Sequence, residues 1–367
     1  MSLTLFFTYR VSLGTWAERG ILERETAVYR RLLPELGSVS FVTYGPDDGR
    51  FRARLGGIEV LPPPRALGPL ATSLLAPWIH RRRLREATLL KANQAPGAWT
   101  AVLAKRLWRK PLIVRCGYRW AHTRARDGGR GVRQRLVVLL ERLAVRAADR
   151  VVVTTADVGE HLRAEHGVDV RRVRVVPNHV DVDVFAPDPG RPREKGLLVA
   201  VGRLSPEKNL PLLVEAASRL PGVRLEIVGD GGERPRLAAL AAARGVRVEF
   251  AGTVENSRLP ALLNRAEVFV LPSRYEGQPK ALLEAMACGL PVVGTDVPGI
   301  RDVVRDGQTG LLSPEDADGL AARVRTLLDD AALRARLGDA ARAEAARAYS
   351  LDAVARRELD VIRELAP

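Results

Sequence analysis

Glu276-Gly277-Gln278-Pro279-Lys280-Ala281-Leu282-Leu283-Glu284-Ala285-Met286-Ala287 sets two carboxylates eight positions apart, the first in a Gly/Pro loop and the second in a helical run. The residues before it, Glu267 to Leu271, read as a buried strand that Pro272, Ser273 and Gly277 bring to an end. Pro279 suits the first helical position, where its missing N–H costs nothing. A helix opening there presents free backbone N–H groups and the positive end of its dipole, a seat for phosphate. Glu276 stands before that seat and Glu284 just over one turn inside it. One carboxylate can hold a polar group beyond the phosphates, the other a group on the near side. A nucleoside diphosphate carrying a sugar fits that order of groups. Two solvated glutamates flanking a helix start would leave the same spacing, so the neighbouring segments decide.

Outward from this stretch, short apolar runs alternate with helical patterns along the whole chain. In the first half the strand-like runs are 3–8, 40–44, 58–61, 88–93, 112–115, 151–155 and 173–176, with helical patterns at 18–36, 99–109, 132–148 and 156–166. The second half repeats the rhythm with strands at 196–201, 224–228, 246–251, 268–271 and 291–295. Such alternation implies parallel sheets wrapped by helices. The fold class read from it is α/β, two Rossmann-like doubly wound domains facing a cleft, with the ligand expected at the carboxyl ends of the strands. The join is expected within 177–195, where Pro and Asp cluster, which gives domains at 1–180 and 181–348. Residues 349–367 form a separate amphipathic helix after a break at Tyr349-Ser350, with Ser350 as its N-cap, returning toward the first domain.

Composition narrows the class. A chain of 367 residues suggests two domains rather than one core. No run approaches the ~18 apolar residues of a membrane span, and the N-terminus begins with the strand-like Leu3–Phe7 without a basic n-region or cleavage site, so no signal peptide is expected. Cys116 and Cys288 are the only cysteines and read as buried reduced thiols, which favours the cytoplasm. No Cys/His metal cluster is evident. Charge is uneven: residues 1–180 hold 32 Lys+Arg against 15 Asp+Glu, while residues 181–367 hold 26 against 28. The basic half suits an anionic membrane surface, a phosphate-linked acceptor or nucleic acid.

Three more segments of the second half bear on phosphate and sugar. One strand ends in Gly202-Arg203-Leu204-Ser205-Pro206-Glu207-Lys208, where Gly202 lets backbone approach a ligand and Arg203 and Lys208 can reach a diphosphate. Another runs into Gly229-Asp230-Gly231-Gly232, a turn open to a nucleotide. A third is followed by Asp296-Val297-Pro298-Gly299-Ile300, and Gly307 through Leu312 closes a further turn.

With Val175-Val176-Pro177-Asn178-His179-Val180-Asp181, Phe250-Ala251-Gly252 and Ala287-Cys288-Gly289-Leu290-Pro291, these segments resemble the retaining nucleotide-sugar glycosyltransferases of family 4, which have the GT-B fold. The resemblance covers roughly residues 150–345 closely and the first half mainly in strand–helix order. It implies that Arg203 and Lys208 bind the donor diphosphate and stabilise its departing charge, that Glu276 contacts the donor sugar, and that Glu284 holds the ribose hydroxyls. Gly202, Gly229, Asp230 and Gly231, with Gly277, Gln278, Pro279, Lys280 and Ala281, would line the donor site. The implied reaction is sugar transfer from a nucleoside diphosphate to a hydroxyl, with retention and without a metal or separate cofactor, in polysaccharide, glycolipid or glycoconjugate synthesis. The first domain would bind the acceptor, which is lipid-linked or polymeric in many members.

The chain departs from that family in places. The loop after 112–115 carries Cys116-Gly117-Tyr118-Arg119 where the family often has a histidine, and His122 follows. Tyr118, Arg119 and His122 are candidates for acceptor or sugar contacts. Arg10-Val11-Ser12-Leu13-Gly14-Thr15-Trp16 replaces the family's glycine-rich acceptor loop, and His179 replaces a common glycine. Asp181-Val182-Asp183 resembles a metal-binding DxD but lies in the interdomain segment and reads as structural.

Residues 67–85 set Leu70, Leu74, Leu75, Trp78 and Ile79 beside Arg81-Arg82-Arg83-Leu84-Arg85, with Pro69 and Pro77 expected to interrupt any long helix. This reads as a membrane-surface patch, favoured by the basic character of the whole half over a helix packed on the first domain with a solvated basic end, and suits a cytoplasmic or membrane-peripheral protein. Two alternatives stay open. A nucleotide-sugar 2-epimerase of the same fold needs acid/base groups facing the sugar from both domains, and the first half offers few. A nucleic-acid-binding protein needs aromatics interleaved with the basic residues, a pattern the first half lacks, so no nucleic acid is expected.

Overall fold

The computed structural model describes residues 1–117 and 132–366. The chain divides into two compact units, Met1–Pro177 together with Val354–Pro367, and Asn178–Ala353. Among the described residues the first unit holds a seven-stranded sheet: β1 (Ser2–Phe6), β2 (Ser38–Val42), β3 (Glu59–Leu61), β4 (Leu89–Ala92), β5 (Leu112–Cys116), β6 (Arg150–Val153) and β7 (Val173–Val175). The second holds six: β8 (Leu197–Val201), β9 (Arg224–Val228), β10 (Arg247–Gly252), β11 (Val268–Leu271), β12 (Val292–Thr295) and β13 (Leu311–Ser313).

The sheet orders are β3-β2-β1-β4-β5-β6-β7 and β10-β9-β8-β11-β12-β13, parallel throughout. Each is doubly wound: the chain moves outward from β1 or β8 in one direction, then returns to the other side through β4 or β11. Loops leaving the paired central strands therefore run to opposite sides and open a crevice at the strands' carboxyl ends.

Continuous apolar strands follow from burial on both faces. Along β11, Phe269 and Leu271 enter one core with Leu282, Met286 and Val292, while Val268 and Val270 enter another with Leu198, Val214 and Leu320. The two-residue alternation thus fills two cores, one on each face of the sheet. Glu267 lies just outside β11, not within it. Its carboxylate accepts the Gly196 N–H at 2.6 Å and pairs with Arg334 at 3.0 Å.

Several local expectations change. The run 18–36 is two helices, Leu13–Glu18 and Leu22–Leu36, because Gly20 takes a left-handed conformation between them. Leu311 and Leu312, expected at the end of a turn, belong with Ser313 to the edge strand β13. Pro69 opens the helix Pro69–Ile79, and Pro77 is accommodated in its last turn. Ser350 Oγ accepts the Ala353 N–H at 3.3 Å and so caps the last helix, Leu351–Arg363. Along that helix the chain rejoins the first unit, where Glu358 and Lys91 of β4, both 1% exposed, form an ion pair of 2.5 Å. Arg115 lies 3.9 Å from the same carboxylate.

Cys116 and Cys288 are free and buried, one in each unit. Burial pushes both thiols up, Cys288 to about 12. Among the described residues no helix is long and apolar enough to cross a membrane.

Candidate active site

The crevice of the second sheet lies between the loops that follow β8 and β11. After β8 the chain passes through Gly202 and Arg203 into a single tight turn at Pro206–Lys208, closed by Asn209 in a left-handed conformation. After β11 it passes through Ser273 to Glu276 and then into the helix Lys280–Ala287. These two loops bring together residues 68 positions apart: Lys208 Nζ donates to Glu276 Oε1 at 2.5 Å, and Ser273 Oγ donates to the same oxygen at 2.7 Å. Glu276 is 8% exposed and Lys208 20%. A buried carboxylate is costly unless it is paired and hydrogen-bonded, and this one has both a cation and a hydroxyl.

Arg203 is held differently. Its Nη2 donates to Glu207 Oε1 at 2.8 Å, and Ser205 Oγ donates to that oxygen at 2.5 Å. Burial pushes the Glu207 carboxyl up, but the Ser205 hydroxyl, its own backbone N–H and the Arg203 guanidinium together hold it below the ordinary range. Glu207 is therefore an ionised anchor. The Arg203 side chain is tethered at one corner and 71% exposed, a forked donor open to an anion.

Glycines are required where these loops touch their neighbours. Gly229 has φ +130°, and a Cβ there would lie 1.9 Å from the Gly202 carbonyl oxygen. A Cβ on Gly231 would lie 2.3 Å from the Leu204 oxygen. The loops after β8 and β9 are laced backbone to backbone, with the Gly202 N–H donating to Val228 O and the Leu204 N–H to Asp230 O. Asp230 turns its own carboxylate onto the Gly231 N–H at 2.8 Å. The loop after β12 closes on Glu276 in the same way: a Cβ on Gly299 would meet the Glu276 and Gly277 carbonyl oxygens, each at 2.4 Å.

The helix begins one residue later than the sequence suggests. Pro279 has extended geometry and stands as the N-cap, so Lys280 and Ala281 are the first helical residues and their backbone N–H groups open the helix. Glu284 is 2% exposed on the buried side of the helix, where it accepts the Asn256 side-chain amide at 2.8 Å. Gln278 is buried: its side-chain oxygen accepts the Asn178 N–H at 2.5 Å, and its main-chain oxygen accepts the Asn178 amide at 2.7 Å. Asn178 and Asn256 belong to the constellation; the first stands in a quoted motif with no role evident from sequence, and the second is not evident from sequence at all.

The structure thus gathers Arg203, Lys208, Glu276 and the start of the Lys280–Ala287 helix around the crevice of the second sheet. Tyr118, Arg119 and His122 lie outside the described residues. In Asp181-Val182-Asp183, the first carboxylate accepts the N–H groups of Asp183 at 3.1 Å and Val184 at 3.3 Å, closing a turn. Among the described residues no three His, Cys, Asp or Glu side chains converge as metal ligands.

The corresponding loop of the first sheet is closed. After β1, Ser12 caps the helix Leu13–Glu18, and buried Asp48 accepts the N–H groups of Leu13 at 2.9 Å and Gly14 at 3.2 Å.

Residues 181–344 match the family model described as glycosyl transferases group 1, and residues 22–179 match that of the glycosyl transferase 4-like domain. The sulfoquinovosyl transferase SQD2 of Arabidopsis thaliana is 35% identical over 54% of this chain and 41% of its own. The D-inositol 3-phosphate glycosyltransferase of Mycolicibacterium paratuberculosis is 33% identical over 71% of this chain and 64% of its own. The chain spans about half the length of the curated relatives it matches. Anabaena Alr3699/HepE, solved in complex with UDP, superposes over 100% of both chains with a TM-score of 0.80 at 20% identity. Two doubly wound parallel sheets and two adjoining family matches agree: the chain has the GT-B fold and belongs to the group 1, family 4-like glycosyltransferases.

Proposed function

We propose that this protein is a retaining, metal-independent glycosyltransferase that moves a sugar from a nucleoside diphosphate sugar to a hydroxyl acceptor. The observation that carries the reading is the Lys208–Glu276 pair at the crevice of the second sheet, beside the exposed Arg203 fork and the helix start at Lys280. The donor reading is further supported by Anabaena Alr3699/HepE, a fold neighbour solved with UDP and with UDP-glucose.

In the proposed reaction the bond between the anomeric carbon and the terminal phosphate oxygen breaks, and its electron pair leaves on the diphosphate. The acceptor oxygen bonds to that carbon on the same face and passes its proton to the departing diphosphate. Negative charge grows on the diphosphate, so groups that bind an anion more tightly as it forms accelerate the step. Arg203, Lys208 and the N–H groups of Lys280 and Ala281 have that chemistry. Glu276 orients Lys208 in the free protein and accepts a hydroxyl of the donor sugar in the complex. Glu284, fixed by Asn256, takes the ribose hydroxyls. Gly202, Gly229, Asp230, Gly231, Gly277 and Gln278 keep the loops close enough to form the site, and the first unit carries the acceptor. Two cations and a helix dipole supply the charge stabilisation that a metal supplies elsewhere. We assign the acceptor to a polysaccharide, glycolipid or glycoconjugate, reached in the cytoplasm or at the inner face of a membrane.

Thermal shifts with UDP, GDP, ADP, CDP and their sugar conjugates, in EDTA, test the donor. A ligand at 100 times its Kd adds ~2.7 kcal/mol and one responder is expected. Silence from the whole panel overturns the donor reading. The anomeric configuration of the product, read by NMR, tests retention.

A further inference from the structure

Two helices of the first unit are packed inside out, and a third, which packs Val102 and Trp108 against the core, turns Leu107 outward beside them. Pro69–Ile79 buries Thr72, Ser73, Ala76 and Pro77, all small or polar, and exposes Leu70, Leu74 and Trp78 to 62%, 50% and 42%. Trp99–Trp108 buries Thr100, Ala101 and Ala104 and leaves Leu107 exposed. Val132–Ala147 sets Ala144 and Val145 inward and leaves Leu136, Leu139 and Leu143 about half exposed, spaced three and four residues apart on one stripe. Ala76, Ala101, Ala104, Ala144 and Val145 all enter a single core with β4, β5 and β6. The three helices therefore cover the same face of the sheet and turn their leucines away from it together. The Trp108 indole N–H donates to Pro77 O at 3.1 Å, tying the first two helices side by side.

A soluble helix ordinarily buries the large apolar side chains and exposes the small ones. The reversal here leaves a contiguous apolar face of the kind that marks an interaction site. Its charge identifies the partner. Between Pro69 and Lys110, leaving aside Lys91, which is buried on Glu358, the sequence has eight Lys and Arg and one acid, Glu86, which is already engaged by Arg82 and Arg83. Arg81, Arg85, Arg106 and Arg109 are exposed at the helix ends, and Arg85 lies over the Trp108 ring at 4.5 Å. Apolar side chains with a tryptophan among them, rimmed by arginines, match the interface of an anionic bilayer. The neighbouring 380 Å³ cavity, lined by Glu59, His80, Arg82, Arg83 and Glu86, pairs its charges internally and adds no anion site.

We infer that this three-helix face docks the protein on an anionic lipid surface, with Leu70, Leu74, Trp78 and Leu139 entering the acyl boundary and Arg81, Arg106 and Arg109 meeting the headgroups. The inference deepens the membrane-peripheral reading above and rests on it for the lipid, but not on the donor assignment.

Vesicle flotation of the full chain tests it, with phosphatidylcholine alone and with phosphatidylglycerol mixed in. Wild type should float with the anionic vesicles, less so in high salt, and stay behind with the neutral ones. Arg81→Gln/Arg106→Gln should weaken partitioning roughly 5-fold for each arginine removed. Leu74→Ser/Trp78→Ser should abolish it, with the thermal unfolding midpoint kept as a fold control. Variants that float with anionic vesicles as well as wild type does would overturn the face while leaving membrane association standing. Wild type that ignores both vesicle types would overturn both. Self-association through the face, or salt-sensitive binding to RNA in place of vesicles, would also sink the lipid assignment.

Discussion

The two sheets start from the same winding and finish their central strands in opposite ways. After β1, the turn into the next helix is sealed from within: the Asp48 carboxylate takes the Leu13 and Gly14 N–H groups. After β8 and β11 the backbone closes through glycines, and the charged side chains are left facing the crevice, with Glu276 on Lys208 and Arg203 held only at one corner. A doubly wound sheet supplies a crevice automatically; the side chains around it decide whether it is receptive.

The largest expected effect comes from filling the glycine seam. Gly229→Ala puts a Cβ 1.9 Å from a carbonyl oxygen at φ +130° and should cost on the order of 3 kcal/mol in urea unfolding, with donor binding lost. Gly232→Ala, three residues on with nothing within 4 Å, is the control and should stay within about 0.5 kcal/mol. Equal behaviour of the two would dissolve the idea that backbone closeness shapes this crevice. Lys208→Ala and Glu276→Ala should each lower transfer by about 10²-fold in a folded protein, measured as product formed per minute. Near-wild-type transfer by both would remove the pair from the mechanism.

Smaller effects separate the two sheets. Asp48→Ala orphans two buried N–H groups and should destabilise the first unit by about 1–3 kcal/mol, with nucleotide affinity unchanged. A loss of nucleotide affinity as large as that of Lys208→Ala would show that the two loops are not independent. The smallest effect concerns acid. The Glu207 carboxyl is held below its ordinary value of 4.5, so its contribution is complete above that pH and disappears as pH falls through the lowered value. Urea midpoints taken between pH 6 and 3 should fall less steeply for Glu207→Gln than for wild type, and parallel curves would dismiss the anchor.

Much of this was legible in the residues. Strand–helix alternation reports parallel sheets because buried strands must be apolar on both faces, and the Glu276-to-Glu284 stretch with its Pro/Gly break marks a strand, a loop and a helix start in order. What stayed hidden depends on partners distant in sequence. Asp48 lies 35 positions from Leu13, and Asn178 lies 100 from Gln278, so neither leaves a local pattern. β13 is three residues long and sits among glycines, where a turn and a short edge strand have the same composition. Along 69–79 the sequence shows the large apolar residues but, with two prolines expected to break the run, neither the helix Pro69–Ile79 nor the side of it that faces the core.

The ion pair between Lys91 and Glu358 joins residues 267 positions apart. A ribosome adding roughly 5–20 residues per second needs on the order of tens of seconds to cover that distance. Throughout that interval β4 exists while the carboxylate that neutralises its lysine does not. A lysine sealed into a sheet without its partner is strongly disfavoured. The second unit, encoded between the two, can therefore close on the nascent chain while the first waits with its centre unsealed, and the order of completion runs against the order of synthesis.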